Sequence, residues 1–312
     1  MKSSTALLLA ASLSLPLLAQ AAEPESCSTV RFADVGWTDI TVTTAVTSVV
    51  LESLGYQTKT NLISVPVTYK SMENKDIDVF LGNWMPTMEN DIKAYRDKGT
   101  VETVRANLTG AKYTLAVSDA AYKAGLKSFA DIAKFSDELD GKIYGIEPGN
   151  DGNRLIRGMI EKNLFDLGTF DIVESSEAGM LSQVQRAERR NNWIVFLGWE
   201  PHPMNARFNM HYLQGGDDVF GANLGGATIY TNVRKGYVQE CANVGQLLSN
   251  LEFSLGMENT LMDAVLNDNQ KPKVAATAWL KANPEVLDSW LAGVTSRTGE
   301  PALGVVKAHL AQ

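Results

Sequence analysis

The sequence predicts an α/β protein of two lobes, each a mainly parallel sheet flanked by helices, with a ligand held in the cleft between them. The chain opens, after a short leader, as strand, helix, strand, helix, strand, the pattern of a parallel sheet covered by helices. About 290 residues remain once the leader is set aside, near the size at which a single core stops growing and chains divide. One phrase is also written twice. Asp78-Val79-Phe80-Leu81-Gly82-Asn83-Trp84-Met85-Pro86 returns as Ile194-Val195-Phe196-Leu197-Gly198-Trp199-Glu200-Pro201. Each reads as a buried strand whose carboxyl end opens into a glycine turn with a tryptophan at its tip. Ligands of open α/β sheets sit at the carboxyl ends of strands, so two such tips suggest two lobes facing one ligand. Core packing is the competing reading of both tryptophans; their place in Gly-Trp-x-Pro turns argues for a surface.

Residues 1–22 read as a signal peptide. Lys2 supplies the positive start, Ala6 to Leu18 the apolar stretch, and Ala19-Gln20-Ala21 the small-x-small cleavage pattern, so the mature chain is expected to begin at Ala22 or Glu23. The apolar stretch is too short to span a bilayer and no later segment resembles a span, so an exported, soluble, periplasmic product is expected. A formal charge of -8 without a basic cluster argues against nucleic acid as a partner. The chain has two cysteines, Cys27 and Cys241, and in an oxidising compartment they are expected to be bonded.

Val30 to Val35 alternates and is the first strand, with Gly36-Trp37-Thr38-Asp39 as its exit, so a third tryptophan lies just past a strand. Thr41 to Leu54 has helical spacing and stops on Gly55. Gln57 to Ile63 is a strand, Val67 to Asn74 a helix, Ile77 to Leu81 the strand ending at Trp84, and Glu89 to Lys98 a helix. Strand character from Val101 to Val117 is punctuated by Gly110, and the crossing into the second lobe is placed at 107–112. Tyr113 is either a core residue needing a partner for its hydroxyl or a hinge residue facing the cleft; the sequence leaves both open. Phe129 to Phe135 is helical. Lys142 to Glu147 is a strand running into Pro148-Gly149-Asn150-Asp151-Gly152-Asn153, a loop that presents free N–H groups at the start of a helix from Asn153 to Asn163. Asp151 or Asn153 is expected to cap that helix, leaving Asn150 for a ligand. Ala178 to Asn191 is a helix whose Arg186, Arg189 and Arg190 form a solvated face. Asn209 to Leu213 is expected to return the chain to the first lobe, followed by helices over 233–251, 258–267, 272–282 and 284–292. The lobes are thus 23–110 with 214–312, and 111–213. Trp193, Trp279 and Trp290 are assigned to packing.

The chemistry of an enzyme is missing. The sequence has no nucleophile-elbow serine and no histidine pair at metal spacing, and His202, His211 and His309 are scattered. No catalytic residue, metal or cofactor is expected. What is present is aromatic: Trp37, Trp84 and Trp199, with Tyr113 as a fourth wall, could form a box of π faces for a quaternary ammonium ion. A sugar would stack on the same rings but needs several polar partners, and few are found here beyond Asp39, Asn83 and Asn150.

In order and spacing, Gly36-Trp37-Thr38-Asp39, Gly82-Asn83-Trp84, Tyr113, Pro148-Gly149-Asn150 and Gly198-Trp199 resemble the periplasmic choline-binding proteins of ABC importers, within the glycine betaine, choline and carnitine group of substrate-binding proteins. The resemblance covers the mature chain, including the cysteine pair. It implies the type II binding-protein fold, an aromatic box of Trp37, Trp84, Tyr113 and Trp199 around a trimethylammonium group, and Asp39 and Asn150 at the ligand's hydroxyl end. It also implies delivery of choline, or of carnitine or glycine betaine, to a membrane permease, and the chain is expected to act as a monomer. An exported enzyme acting on a quaternary amine and an osmosensory receptor domain are the readings from other classes.

Overall fold

The computed structural model describes residues 23–312; the signal peptide expected over 1–22 lies outside the described residues. Strand β1 (Thr29–Asp34) alternates as its sequence requires, with Val30 and Phe32 fully buried, and runs parallel to β2 (Gln57–Leu62) and β3 (Val79–Met85). Helix α1 (Thr38–Ser53) joins β1 to β2 and is buried on nearly every face against helices Leu255–Leu266 and Pro272–Ala282. A helix so rich in threonine and serine tolerates burial because its hydroxyls bond within it: Thr43 donates to the Asp39 carbonyl at 3.0 Å and Thr47 to the Thr43 carbonyl at 2.8 Å. The amino end of α1 therefore projects from a rigid element, carrying Trp37 and Asp39 with it. Helices α2 (Val65–Glu73) and α3 (Glu89–Asp97) follow β2 and β3.

Strand β4 (Val101–Ser118) runs through both lobes. Its first part pairs antiparallel with β9 (Gly226–Arg234), its second with β7 (Val195–Glu200), and Lys112 faces both Gly226 and Glu200. Register shifts interrupt the β4–β9 ladder before Ala111, and Gly110 takes φ +79°, a conformation that glycine adopts without strain. Beyond β4, helix α4 (Asp119–Lys123) leads to β5 (Lys142–Tyr144), α5 (Asp151–Glu161), β6 (Asp171–Val173) and α6 (Glu177–Arg190). β5 pairs parallel with β6 and β7, and β8 (Met210–Tyr212) pairs with Ala116–Ser118 of β4. The strand order is β2-β1-β3-β9-β4-β7-β5-β6.

Two expectations change. The outer strands of each lobe are parallel, but the crossing and returning strands are antiparallel to their neighbours, so the sheet is mixed. And Asn209 to Leu213 does not return the chain: β8 stays on the second lobe, Phe129 donates its N–H to the Gln214 carbonyl at 2.9 Å, and the Phe220 ring lies 5.9 Å from that of Phe129. The return is β9, whose Val233 and Arg234 end a strand rather than begin a helix. Its burial alternates through Ala227, Ile229 and Thr231, and Thr231 to Arg234 are then all buried. Gln214 and Phe220 therefore lie against Phe129 beyond the crossing rather than against the first strands. The Cys27–Cys241 disulfide, S–S 1.94 Å, ties the start of the described chain to the segment after β9.

Candidate functional site

The repeated phrase corrects the turn expected of it: Gly82 and Gly198 lie inside strands rather than in exit turns, and both tryptophans are buried. Trp84 lies near the end of β3 and Trp199 near the end of β7, each one residue from the close of its strand and two before a proline. Trp37 occupies the N-cap position of α1 and Tyr113 lies on β4 directly opposite Trp199 in the ladder. All four, with Asp39, Asn150, Ile146 and Asp151, line one small cavity between the lobes. The Tyr113 ring is the pivot: it stands 5.9 Å from Trp84, 6.4 Å edge-on from Trp199 and 6.0 Å edge-on from Phe220. Tyr113 is both things the sequence left open, a buried residue with its hydroxyl donating to Asn150 Oδ1 at 2.9 Å and a wall of the cleft.

Trp84 and Trp37 are held by their polar edges. The Trp84 indole N–H donates to Asp39 Oδ2 at 3.1 Å, and that of Trp37 donates across the cleft to Glu147 Oε1 at 2.7 Å. Both indole N–H groups are thereby satisfied while both rings line the cavity. Asn150 corrects the expectation made for it. It is itself the N-cap of α5, accepting from the Asn153 N–H at 3.1 Å while its amide donates to Asp151 Oδ1 at 3.1 Å. The helix begins two residues earlier than its sequence suggests, so Asn150 serves both the cap and the wall. Gly152 makes this close approach possible: a Cβ there would lie 2.1 Å from the Tyr113 hydroxyl.

The electrostatics are one-sided. Burial, and then the nearby Glu177 carboxylate, push the Asp39 carboxyl up to about 8. Burial raises Glu147 to about 7 and Asp151 to about 6. Glu258, buried behind Asp39, is also held well above the carboxylate range by burial and by Asp39. Among the described residues, no lysine or arginine lines the cavity. An aromatic enclosure rimmed by carboxyls, with Arg154 near Asp151 but bonded to Asp91 and the Thr87 carbonyl, is matched by a small positive guest without hydrogen-bond donors on its charged head.

Sequence reasoning missed Ile146, Glu147, Asp151, Glu177 and His202. Glu177 stands just before the helix expected from Ala178, and nothing local marks it. Its carboxylate accepts from the Thr38 N–H at 2.8 Å and the Thr38 hydroxyl at 2.6 Å, linking the lobes. Arg154 of α5 also crosses, donating to Asp91 at 2.9 Å and to the Thr87 carbonyl at 2.9 Å. The lobes are shut on one another around the cavity. Trp193, Trp279 and Trp290 pack elsewhere; Trp193 lies 5.1 Å from Phe135.

Two lobes joined by paired crossing strands and shut around a small aromatic cavity define a ligand-binding protein of the type II periplasmic class. The chain belongs to the family described as the substrate binding domain of an ABC-type glycine betaine transport system, whose model matches residues 28–282. It is similar to the structure of an ABC-transporter choline binding protein in complex with choline, at 64% identity and TM-score 0.92, over 92% of this chain and 100% of that one. An ABC-transporter choline binding protein in an unliganded semi-closed conformation matches at 63% identity and TM-score 0.86, over 92% and 100%. The glycine betaine/carnitine transport binding protein GbuC of Listeria monocytogenes serotype 1/2a (strain 10403S) is 29% identical over 164 residues, 53% of each chain. The family is one of transport substrate-binding proteins, not of enzymes.

Proposed function

We propose that this protein captures choline in the periplasm and delivers it to the membrane permease of an ABC importer. The observation that carries the reading is the cavity itself, four aromatic walls and a buried Asp39 with, among the described residues, no lysine or arginine lining it. In this reading Trp37, Trp84, Tyr113 and Trp199 surround the trimethylammonium group, while Asp39 and Asn150 meet the hydroxyl end. Each ring over a desolvated cation contributes about 0.5–2 kcal/mol. Four together approach the roughly 8 kcal/mol of a micromolar complex. Choline's hydroxyl can donate to the Asp39 carboxylate, whereas betaine sets a second carboxylate against it.

The wider reading follows the same lines. The leader is cleaved near Ala21 or Ala22, and the lobes are 23–110 with 226–312, and 111–225, the second boundary moved from 214 because Gln214 and Phe220 pack with the second lobe. Carnitine or glycine betaine is the second reading, favoured by the family's description and by GbuC. Calorimetric titration of the mature protein with choline, acetylcholine, betaine and carnitine tests the proposal. One-to-one binding with choline tighter than betaine by about tenfold, or ~1.4 kcal/mol, is expected. Tighter binding of betaine would contradict the role given to Asp39.

A further inference from the structure

Helix α1 lacks a cap of its own. Trp37 stands at its N-cap position and makes no side-chain hydrogen bond to the helix, although the first N–H groups of a helix have no partners within it. The missing acceptor arrives from the other lobe. Glu177, in the first turn of α6, is not needed at its own helix start, because Ser176 already accepts from the Gly179 N–H at 3.1 Å. Its carboxylate reaches across the cleft instead, taking the Thr38 N–H at 2.8 Å and the Thr38 hydroxyl at 2.6 Å, with both residues buried. A carboxylate at this point also meets the positive end of the α1 dipole.

A third donor holds Glu177 in place. His202 Nδ1 accepts the Met204 N–H at 2.9 Å, which puts the ring proton on Nε2, 3.2 Å from Glu177 Oε1. The same imidazole packs edge-on against Trp199, ring centres 4.9 Å apart. Trp199 on one lobe is thus connected through His202, Glu177 and Thr38 to the neighbours of Thr38, which are Trp37 and Asp39 on the other. None of these links uses a ligand atom.

We propose that Glu177 is a cross-cleft cap of helix α1, positioned by His202, that latches the lobes shut and sets the rate at which ligand escapes. The inference rests on the choline reading above. Opening the cleft takes the cap from α1 and leaves its N–H groups to water, so the latch contributes to the shut state only. Losing a cap worth the usual amount corresponds to about a 3- to 30-fold effect.

The test is stopped-flow choline binding, followed by tryptophan fluorescence, on wild type, Glu177→Ala, Glu177→Gln, Thr38→Val and His202→Gln. Glu177→Ala should raise koff about 3- to 30-fold with kon within about twofold, since encounter precedes closure. Glu177→Gln, which keeps one acceptor, should fall between it and wild type. His202→Gln, which keeps a donor near Nε2, should be milder than Glu177→Ala. Thr38→Val combined with Glu177→Ala should raise koff no further than Glu177→Ala alone, because both remove one latch. The ligand-free melting temperature should stay near that of wild type in every variant. An unchanged koff in Glu177→Ala, or a ligand-free melting temperature that falls as far as the liganded one, would overturn the latch. If Glu177→Ala fails to fold, additive effects of Glu177→Gln and Thr38→Val would overturn it equally. Wild type that binds neither choline nor its relatives would overturn the functional reading first.

Discussion

Burial pushes the Asp39 carboxyl up to about 8, and a quaternary cation beside it draws that value back down. Betaine brings a carboxylate as well, so its complex keeps the Asp39 proton to higher pH than the choline complex does. Because the folded value is raised, the protonated form gains ground as pH falls below about 8, and that form opposes betaine least. The choline-to-betaine affinity ratio should therefore shrink between pH 8 and about 5, and Asp39→Asn should flatten the trend and narrow the ratio. Calorimetry at the two pH values checks this; a ratio that grows on acidification contradicts it. Trp199→Ala should weaken choline and betaine alike, by about 0.5–2 kcal/mol, because both present the same head to that wall. A loss confined to one ligand would remove Trp199 from the box. At this scale the sequence was informative wherever a residue stood near a strand's end. Trp37 follows a strand and a glycine turn, Trp84 and Trp199 sit at the last positions but one of their strands, and the three meet in one cavity. Glu147 and Glu177 act through partners more than a hundred residues distant in the chain, and no local pattern announces such a partner.

Elements explain why Tyr113 is so tightly set. It lies on β4 just beyond the crossing, between Gly152 at the start of α5 and Gly225 before β9. A Cβ at Gly225 would lie 1.9 Å from the Tyr113 carbonyl oxygen, and Gly225 already takes φ +68°. Gly152→Ala drives a methyl into the Tyr113 hydroxyl, a strain of about 1–3 kcal/mol that the ring relieves by moving into the cavity. Choline affinity should drop about tenfold or more while far-ultraviolet dichroism stays native. Unchanged affinity would show that the Tyr113 hydroxyl is not held where its bond to Asn150 puts it. The first strands and α1 were legible because alternation and a glycine stop mark them directly. β9 was not, because four glycines precede it, a fifth opens it, and threonine and asparagine dilute its apolar face. The cap of α5 slipped by the same kind of ambiguity: Asn150, Asp151 and Asn153 are all good caps, and only tertiary contact with Tyr113 selects among them.

The whole molecule is a pair of lobes with one covalent staple outside the cleft. Cys27–Cys241 closes a loop of 214 residues, worth about 5 kcal/mol on the chain-entropy account. Replacing both cysteines by serine should lower the melting temperature while leaving choline affinity nearly intact, since neither sulfur lines the cavity. Thiol alkylation of the native protein should find no free cysteine; two reactive thiols would contradict the bond. Walls drawn from both lobes have a larger consequence: Trp37 and Trp84 stand on the first lobe and Tyr113 and Trp199 on the second, so the box is complete only when the cleft is shut, and ligand must favour that state. Small-angle scattering of the mature protein measures this most directly. The radius of gyration should fall on saturation with choline, and a radius that does not change would contradict an aromatic box assembled by closure.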